Sequence, residues 1–592
     1  MSRAAQCPSG EGRVARRVTL VAAGWVRELR RGLAASEEPL QSPCEVWLAV
    51  SEAVGVGLVV FELVALVVVV AQLALGARPQ AWAAGVGLVA GLEAVVLVLR
   101  EAGRLSRKAV VGALLIFAAV GAAAGACSAW FIDTSWDGQW YHQEELLQIH
   151  AGWNPWTSEA ATADPIQQSC LNHYPMGAEL SGYPLFAATG RIETMKFFNF
   201  TAVAASLALA FAALLAVGLS RTAALVLAGI AALNPVSVCQ MTGTYVDGRL
   251  SSYCVIAAAA AVLWLRRASW SAAAAWSASL VLLVLVKFTG VGYAAIAAAA
   301  LVVAAWALRG GARARKAAVW SAGFLLAAFF LLGWHPYVTN WRAHGSPFFP
   351  VRGDGAVDVV SSNRPRSFEG RNRLVNLAVS LAAETSQACA LLNREPELKA
   401  PFRLHRRELF IGRDSDARMA GWGPLFSGAL LLAVACFAAS WRRDRRRTLI
   451  GGFVVGAILV CAVANPESWW ARFCPQIALA PIVVAAALFA SRPKGAARAL
   501  GIALVAALAL NVALVASFHA YAMVGETRDV RAQLAALAAR GTPIAVDFGA
   551  FPSNRRRFDE WGIRWREVKA QGELKPPIEK VPWSTAVFSA GE

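Results

Sequence analysis

Long apolar runs broken by short polar turns organise this chain. They fall near residues 47–76, 80–99, 109–130, 197–219, 222–241, 251–265, 269–286, 290–308, 317–335, 422–440, 448–464, 475–491 and 499–517. A membrane-crossing helix needs roughly 20 apolar residues, so the pattern predicts about thirteen spans, give or take one or two because some runs are short or Ala-rich. Three polar regions interrupt the array, at 131–196, at 336–421 and from 518 onward. In the last, the pattern predicts a helix over 527–540 and strands over 543–548 and 563–568, a small α/β appendage. The expected fold class is an all-α polytopic membrane protein. Its organisation is a basic tail over 1–46, a transmembrane domain over 47–517 and the appendage over 518–592. No repeat period suggests a solenoid.

Composition agrees with the pattern. Of 592 residues, 57% are hydrophobic and 16% charged, with a mean hydropathy of +0.50, whereas a soluble domain carries about a quarter charged residues. A net charge of +18 raises the question of nucleic acid. The cations instead sit in clusters between runs: Arg16, Arg17, Arg30 and Arg31; Arg100, Arg104, Arg107 and Lys108; Arg266 and Arg267; Arg313, Arg315 and Lys316; Arg442 to Arg447; Arg492, Lys494 and Arg498. The alternate turns carry single cations, Arg78, Arg249, Lys287 and Arg472. The positive-inside rule then places the N-terminus in the cytoplasm. With an odd number of spans, the C-terminus and all three polar regions are exoplasmic. The first run starts only near Val46, so no cleavable signal peptide is expected. No nucleic-acid partner is expected either.

The 10 cysteines include no CxxC pair, which argues against zinc ribbons and thioredoxin-type sites. Cys127, Cys239, Cys254, Cys436 and Cys461 read as small hydrophobes. Cys170 and Cys389 share the exoplasmic side, where a disulfide can persist. Walker A, Rossmann and GxSxG elements are absent in any plausible context.

Candidate chemistry concentrates where the first polar loop leaves its span, in Phe131-Ile-Asp-Thr-Ser-Trp-Asp-Gly-Gln-Trp-Tyr-His-Gln-Glu-Glu145. Helical spacing lets Tyr141 and Glu144 or Glu145 share the face of Asp137. A partly desolvated carboxylate at a membrane boundary is expected to have a raised pKa and can act as a general base. The competing reading is an interfacial aromatic belt with solvated acids. Trp136, Trp140, Trp153, Trp156, Trp341, Trp469 and Trp470 fit either anchoring or sugar stacking. His142, His173 and His344 show no zinc spacing. No cofactor is expected, and a divalent ion on Asp137, His142 and Glu144 remains an open alternative.

Asp137 followed by Tyr141-His142, just after an early span, resembles the first luminal loop of GT-C membrane glycosyltransferases, relatives of the protein O-mannosyltransferases and the aminoarabinose transferases of lipid A. Further stretches are similar to bacterial members. They are Gly152-Trp-Asn-Pro155, Asn172-His-Tyr-Pro-Met-Gly-Ala-Glu179 leading to Thr189-Gly-Arg-Ile-Glu193 and Lys196, Pro336-Tyr-Val-Thr-Asn340 with His344-Gly-Ser-Pro-Phe-Phe-Pro350, and Glu467-Ser-Trp-Trp-Ala-Arg472-Phe-Cys-Pro475. The likeness covers most of 109–491. It departs from the simplest pattern in having two earlier spans and no adjacent acidic pair, so Asp137 is the first candidate base and Asp133 the second.

The resemblance implies an inverting hexosyl- or pentosyltransferase of the cell envelope, in a bacterial inner membrane. Its partners would be membrane lipid, a polyprenyl-phosphate-linked sugar donor and an exoplasmic glycan, lipid or protein acceptor. The transfer requires a base for the acceptor hydroxyl and cations for the departing phosphate. Arg472 and Lys287, at exoplasmic span ends, suit the second task, against a reading as headgroup snorkels. Asp247 in Thr244-Tyr-Val-Asp-Gly248 either faces the same site or makes an ordinary Asp-Gly turn. Tyr141, His142, Glu144, His173, His344 and Glu467 complete the candidate substrate-binding set. Arg555 to Arg557, with Arg564 and Arg566, read as a solvated face. The alternatives are a transporter or flippase, which would place ionisable groups near the membrane centre, and an inactive scaffolding relative.

Overall fold

The computed structural model describes residues 43–103, 106–357, 360, 363–386, 395–568 and 571–589. Almost all of the basic tail, with Arg16, Arg17, Arg30 and Arg31, lies outside the described residues, as do Arg104 and Cys389.

The described residues open with α1 (Pro43–Ala74), α2 (Trp82–Glu101) and α3 (Arg107–Trp130). The first polar region folds into α4 (Gln143–Ala151), α5 (Pro165–His173) and α6 (Gly177–Thr189). Then come α7 (Phe197–Ala216), α8 (Arg221–Ala232), α9 (Pro235–Gln240), α10 (Asp247–Arg267), α11 (Trp270–Val286), α12 (Phe288–Arg309) and α13 (Gly311–Ala327). The second polar region holds α14 (Thr339–His344) and α15 (Arg373–Ala382). After it follow α16 (Phe426–Arg443), α17 (Arg445–Ala464), α18 (Leu479–Ala490) and α19 (Gly495–Arg540). Among the described residues, nine helices are long and apolar enough to cross a membrane. The four other expected spans, at α8, α11, α16 and α18, are also helical, and α8 and α18 have only 12 residues each.

Local chemistry sets these boundaries. Ser106, Ser220, Ser269 and Asp444 open α3, α8, α11 and α17 by accepting from a backbone N–H three residues on, the usual side-chain cap. The run 222–241 is not one continuous helix. Asn234 caps a new turn through Ser237 N at 3.2 Å and Pro235 takes its first position, where the missing N–H costs nothing. At the end of the array the expected break between a span at 499–517 and a helix at 527–540 does not occur. No proline intervenes, and α19 runs 46 residues without interruption, about 69 Å at 1.5 Å per residue. The boundary expected at 517/518 therefore falls inside a helix.

α1 packs against α2, α3, α6, α7 and α11, and small residues bring α2 close. A Cβ on Gly87 would sit 2.6 Å from Phe61 O, and one on Gly91 would sit 2.7 Å from Gly57 O. Such close approach is how helices pack when the solvent is itself apolar. Two acids on α1 are buried and paired. Glu62 meets Arg249 at 3.3 Å and accepts from Tyr253, and Glu52 meets Arg267 at 2.8 Å. Arg249 is thus enclosed among α1, α6, α7 and α10, not displayed in a turn as its position at a span end suggested.

The appendage carries β1 (Ile544–Asp547), α20 (Asn554–Glu560), β2 (Trp565–Glu567), β3 (Ile578–Lys580) and β4 (Val587–Ser589), in sheet order β2-β1-β4-β3. β1 and β2 are parallel across α20, and β4 is antiparallel to both β1 and β3. The two expected strands are present. β3 and β4, at three residues each, are too short for the alternation of apolar and polar positions to register. Val530, Leu534 and Leu537 of α19 share the appendage core with Phe548, Phe558 and Phe588, and so does Ile132 from the first loop.

Candidate functional site

The segment after α3 is built around Asp133. Its Oδ1 accepts from Ser135 N at 2.9 Å and Ser135 Oγ at 2.6 Å; its Oδ2 accepts from Thr244 N at 2.8 Å, from Thr244 Oγ1 and from Gln143 Nε2 at 3.4 Å. Asp133 is 1% exposed, and these bonds lash the start of the first loop to the turn before α10. A Cβ on Gly138 would collide with Asp133 Oδ2, Ser135 Oγ and Thr244 Oγ1, so packing requires glycine at 138. Gly138–His142 then forms one π turn, closed by Gln143 N to Gly138 O. That extra residue changes the expected register. Glu144 turns to Gln148, which donates to it at 2.7 Å, while Glu145 joins His142 and Glu179.

Asp137, at the head of the π turn, meets Arg472 Nη1 at 2.9 Å. Arg472 stands on a 3₁₀ turn, Ala471–Phe473, fastened by Ala471 N to Arg418 O at 3.1 Å and Arg472 N to Ala417 O at 3.0 Å. Its guanidinium also lies 3.2 Å from Asp416 and 3.7 Å from Asp247. The rings of Tyr245, Trp470 and Phe473 surround it, with centroids at 5.0, 4.8 and 5.2 Å. Asp247 pairs with Lys287, whose Nζ is 4.2 Å from the centre of the Phe473 ring. Asp416 is held by Trp470 Nε1 at 2.9 Å and Arg418 Nε at 2.7 Å. Four of the expected residues, Asp137, Asp247, Lys287 and Arg472, therefore converge from four separate stretches of chain.

The electrostatics reverse one expectation. Burial pushes the Asp137 carboxyl up, but the charge and hydrogen bond of Arg472 outweigh it and hold the group below the usual carboxylate range. Burial would likewise lower Arg472, yet Asp416, Asp137 and Asp247 together raise it well above its ordinary value. Burial, then the nearby Asp137 charge, keep the Tyr141 and Tyr245 phenols neutral. The arrangement is an ionised carboxylate against a permanently charged guanidinium, not a neutral acid.

The other expected residues lie in separate contacts. His142 Nδ1 faces Glu179 Oε1 at 2.6 Å. Tyr141 packs with Trp140, Cys170, Leu171 and Tyr174. His173 Nδ1 faces Asn340 Oδ1 at 2.9 Å, and its ring lies 4.9 Å from that of His344, which stacks on Phe349. Glu467 accepts from Trp469 Nε1 at 2.6 Å and from Arg364 Nε at 3.2 Å. Trp469 and Trp470 are buried, whereas Trp136 and Trp341 are exposed. The expected solvated face on α20 is corrected at Arg557, which is 3% exposed and reaches Glu193 at 2.8 Å, Asp133 O at 2.6 Å and Gln139 Oε1 at 3.1 Å. Arg555 pairs outward with Glu567 at 2.6 Å.

Sequence reasoning missed Asp416 and Tyr245 as partners of Arg472, and Glu179 as the partner of His142. Asp414-Ser-Asp416-Ala-Arg418 offered a signal, two acids beside an arginine in the loop expected to cap the site. Compared with known proteins, the chain matches no family model and no curated protein.

Proposed function

We propose that this chain is an integral-membrane glycosyltransferase of the GT-C type that moves a sugar from a polyprenyl phosphate to an acceptor hydroxyl. The observation that carries the reading is the meeting of Asp137 with Arg472 at 2.9 Å, beside the Asp247–Lys287 pair. In the proposed reaction the acceptor oxygen attacks the anomeric carbon as Asp137 takes its proton. The bond from that carbon to the phosphate oxygen breaks, and polyprenyl phosphate leaves with the electron pair, inverting the centre. Arg472 and Lys287 neutralise the leaving phosphate, the guanidinium through two parallel N–H donors.

A carboxylate tied to Arg472 is a weak base, and base strength matters to proton transfer. Donor phosphate competes with Asp137 for the same guanidinium. Drawing Arg472 toward the phosphate strengthens Asp137 as a base only when donor is present, which suppresses idle chemistry. Asp133 and Gly138 act as positioning residues by fixing the head of the π turn. The reading includes thirteen spans, a cytoplasmic N-terminus, polar loops and appendage on the exoplasmic face, and a bacterial inner membrane. A transporter would draw on the buried Glu62–Arg249 pair, but that arginine is closed in by Ser181 Oγ at 2.8 Å and Ala178 O at 3.0 Å, a locked contact.

The test uses protein purified in detergent with a panel of radiolabelled polyprenyl-phosphate sugars. Wild type should consume one donor, and Asp137→Asn should lose about 10²–10⁴-fold in turnover while eluting as wild type does. Full activity in Asp137→Asn removes the assigned base, and absence of donor binding by wild type removes the reading.

A further inference from the structure

Apart from the Arg472 cluster, His142, Glu145 and Glu179 bring one ligand-capable atom each to within 4.8 Å of one another. They are 3%, 1% and 1% exposed. His142 and Glu145 stand three residues apart, on the same face where the π turn runs into α4. Glu179 comes from the first turn of α6. That turn is firmly seated, since a Cβ on Gly177 would lie 2.6 Å from Leu285 O.

Polar atoms here point into the interior with nothing to bond. Apart from the contact between His142 Nδ1 and Glu179 Oε1, no hydrogen-bond partner exists among the described residues for His142 Nε2, for either oxygen of Glu145 or for Glu179 Oε2. Among the described residues no lysine or arginine pairs with Glu145 or Glu179. Buried carboxylates without donors or counter-charge are strongly disfavoured unless something neutralises them. Once both give up their protons, the two carboxylates supply two negative charges, the amount one divalent ion cancels.

We propose that His142, Glu145 and Glu179 bind one divalent transition-metal ion. An imidazole nitrogen with two carboxylate oxygens is a borderline donor set that suits Zn²⁺ or Mn²⁺, whereas Mg²⁺ and Ca²⁺ take oxygen ligands and keep more of them. Zinc ligands at their normal bond lengths stand about 3.3–3.6 Å apart, and rotation of the two carboxylates closes the remaining gap. Three protein ligands leave a position for water. The ion would clamp α4 to α6 and so hold the π turn that carries Asp137 at its head. This site does not depend on the glycosyltransferase reading, and its test needs no substrate.

The full chain in detergent is stripped with EDTA, dialysed, and titrated with ZnCl₂ or MnCl₂; bound metal is measured by mass spectrometry and stability by thermal unfolding. Wild type should hold about one equivalent and show a melting temperature that rises with free metal. Glu145→Gln, which removes a carboxylate ligand without changing shape, should bind at least about tenfold more weakly and lose that rise. Glu179→Gln serves as the second variant should Glu145→Gln not fold. Wild type that takes up no stoichiometric metal overturns the proposal and leaves a proton shared among the three groups. Undiminished binding in both variants overturns it as well.

Discussion

Arg472 draws its character from the number of anions that meet it. With Asp137, Asp416 and Asp247 all within 3.7 Å, its charge settles which protonation state Asp137 adopts. Because the folded-state pKa of Asp137 is depressed below its unfolded value, the pair's contribution to stability is full at neutral pH and fades as pH falls through the folded value. On the proposed function the same sign applies to kcat/KM, which reports the free enzyme, so its acid limb in the wild type should lie below the usual carboxylate range. In Arg472→Gln the burial of Asp137 loses its largest opposing influence and is countered only by His142 and Lys287. The acid limb should then move to higher pH and turnover should fall about 10²-fold or more. A pH-rate series on both proteins checks this. Reduced turnover with an unmoved acid limb would mean that Arg472 serves the phosphate alone. At this scale Asp137, Asp247, Lys287 and Arg472 were legible because isolated charges at span ends are few. Asp416 was not, since one acid in a long polar loop looks like any other until the chain folds back.

The element that matters most is a single π turn. Helical periodicity assigns Glu144 or Glu145 to the face of Asp137, but one inserted residue rotates everything after it. Asp133, Ser135 and Thr244 fill the space beside Gly138, the first residue of that turn. Gly138→Ala should therefore force those groups apart, lowering stability by about 1–3 kcal/mol as overpacking does, and tilt Asp137 away from Arg472. Thermal unfolding and turnover should fall together, and an unchanged melting temperature would show that the crowding relaxes freely. Helix existence was readable from apolar runs. The split at Asn234-Pro235 had a sequence signal, and the continuous 46-residue α19 did not break where polarity rose. Hydropathy reports where lipid ends, while a helix ends only where its backbone bonding is interrupted.

Taken as a whole, the molecule joins the appendage to the membrane array through the very segment that carries Asp137. Arg557 reaches Glu193, Gln139 and the Asp133 carbonyl, and Thr134 Oγ1 donates to Glu526 at 2.7 Å. Glu193 is also paired with Lys196. Arg557→Met should leave Glu193 buried with one counter-charge fewer. Stability should drop by about 3–5 kcal/mol, the usual cost of breaking a buried pair, and the link after Arg540 should become sensitive to protease. Protease resistance equal to wild type would show that the apolar contacts with Ile132 suffice.

By itself, the order of apolar and charged residues determined that this is a helical membrane protein with a small α/β tail, and which loops hold the polar chemistry. That much follows from the transfer of side chains out of water, a property each run carries alone. Only the tertiary structure decided that Asp137 is held ionised by Arg472, that Asp133 is a clamp, that Arg557 is buried, and that His142, Glu145 and Glu179 share one enclosed space. Coulomb and hydrogen-bond energies depend on distances between residues as far apart in the chain as His142 and Glu179 (37 positions) or Glu193 and Arg557 (364 positions), and those distances exist only once the chain has folded.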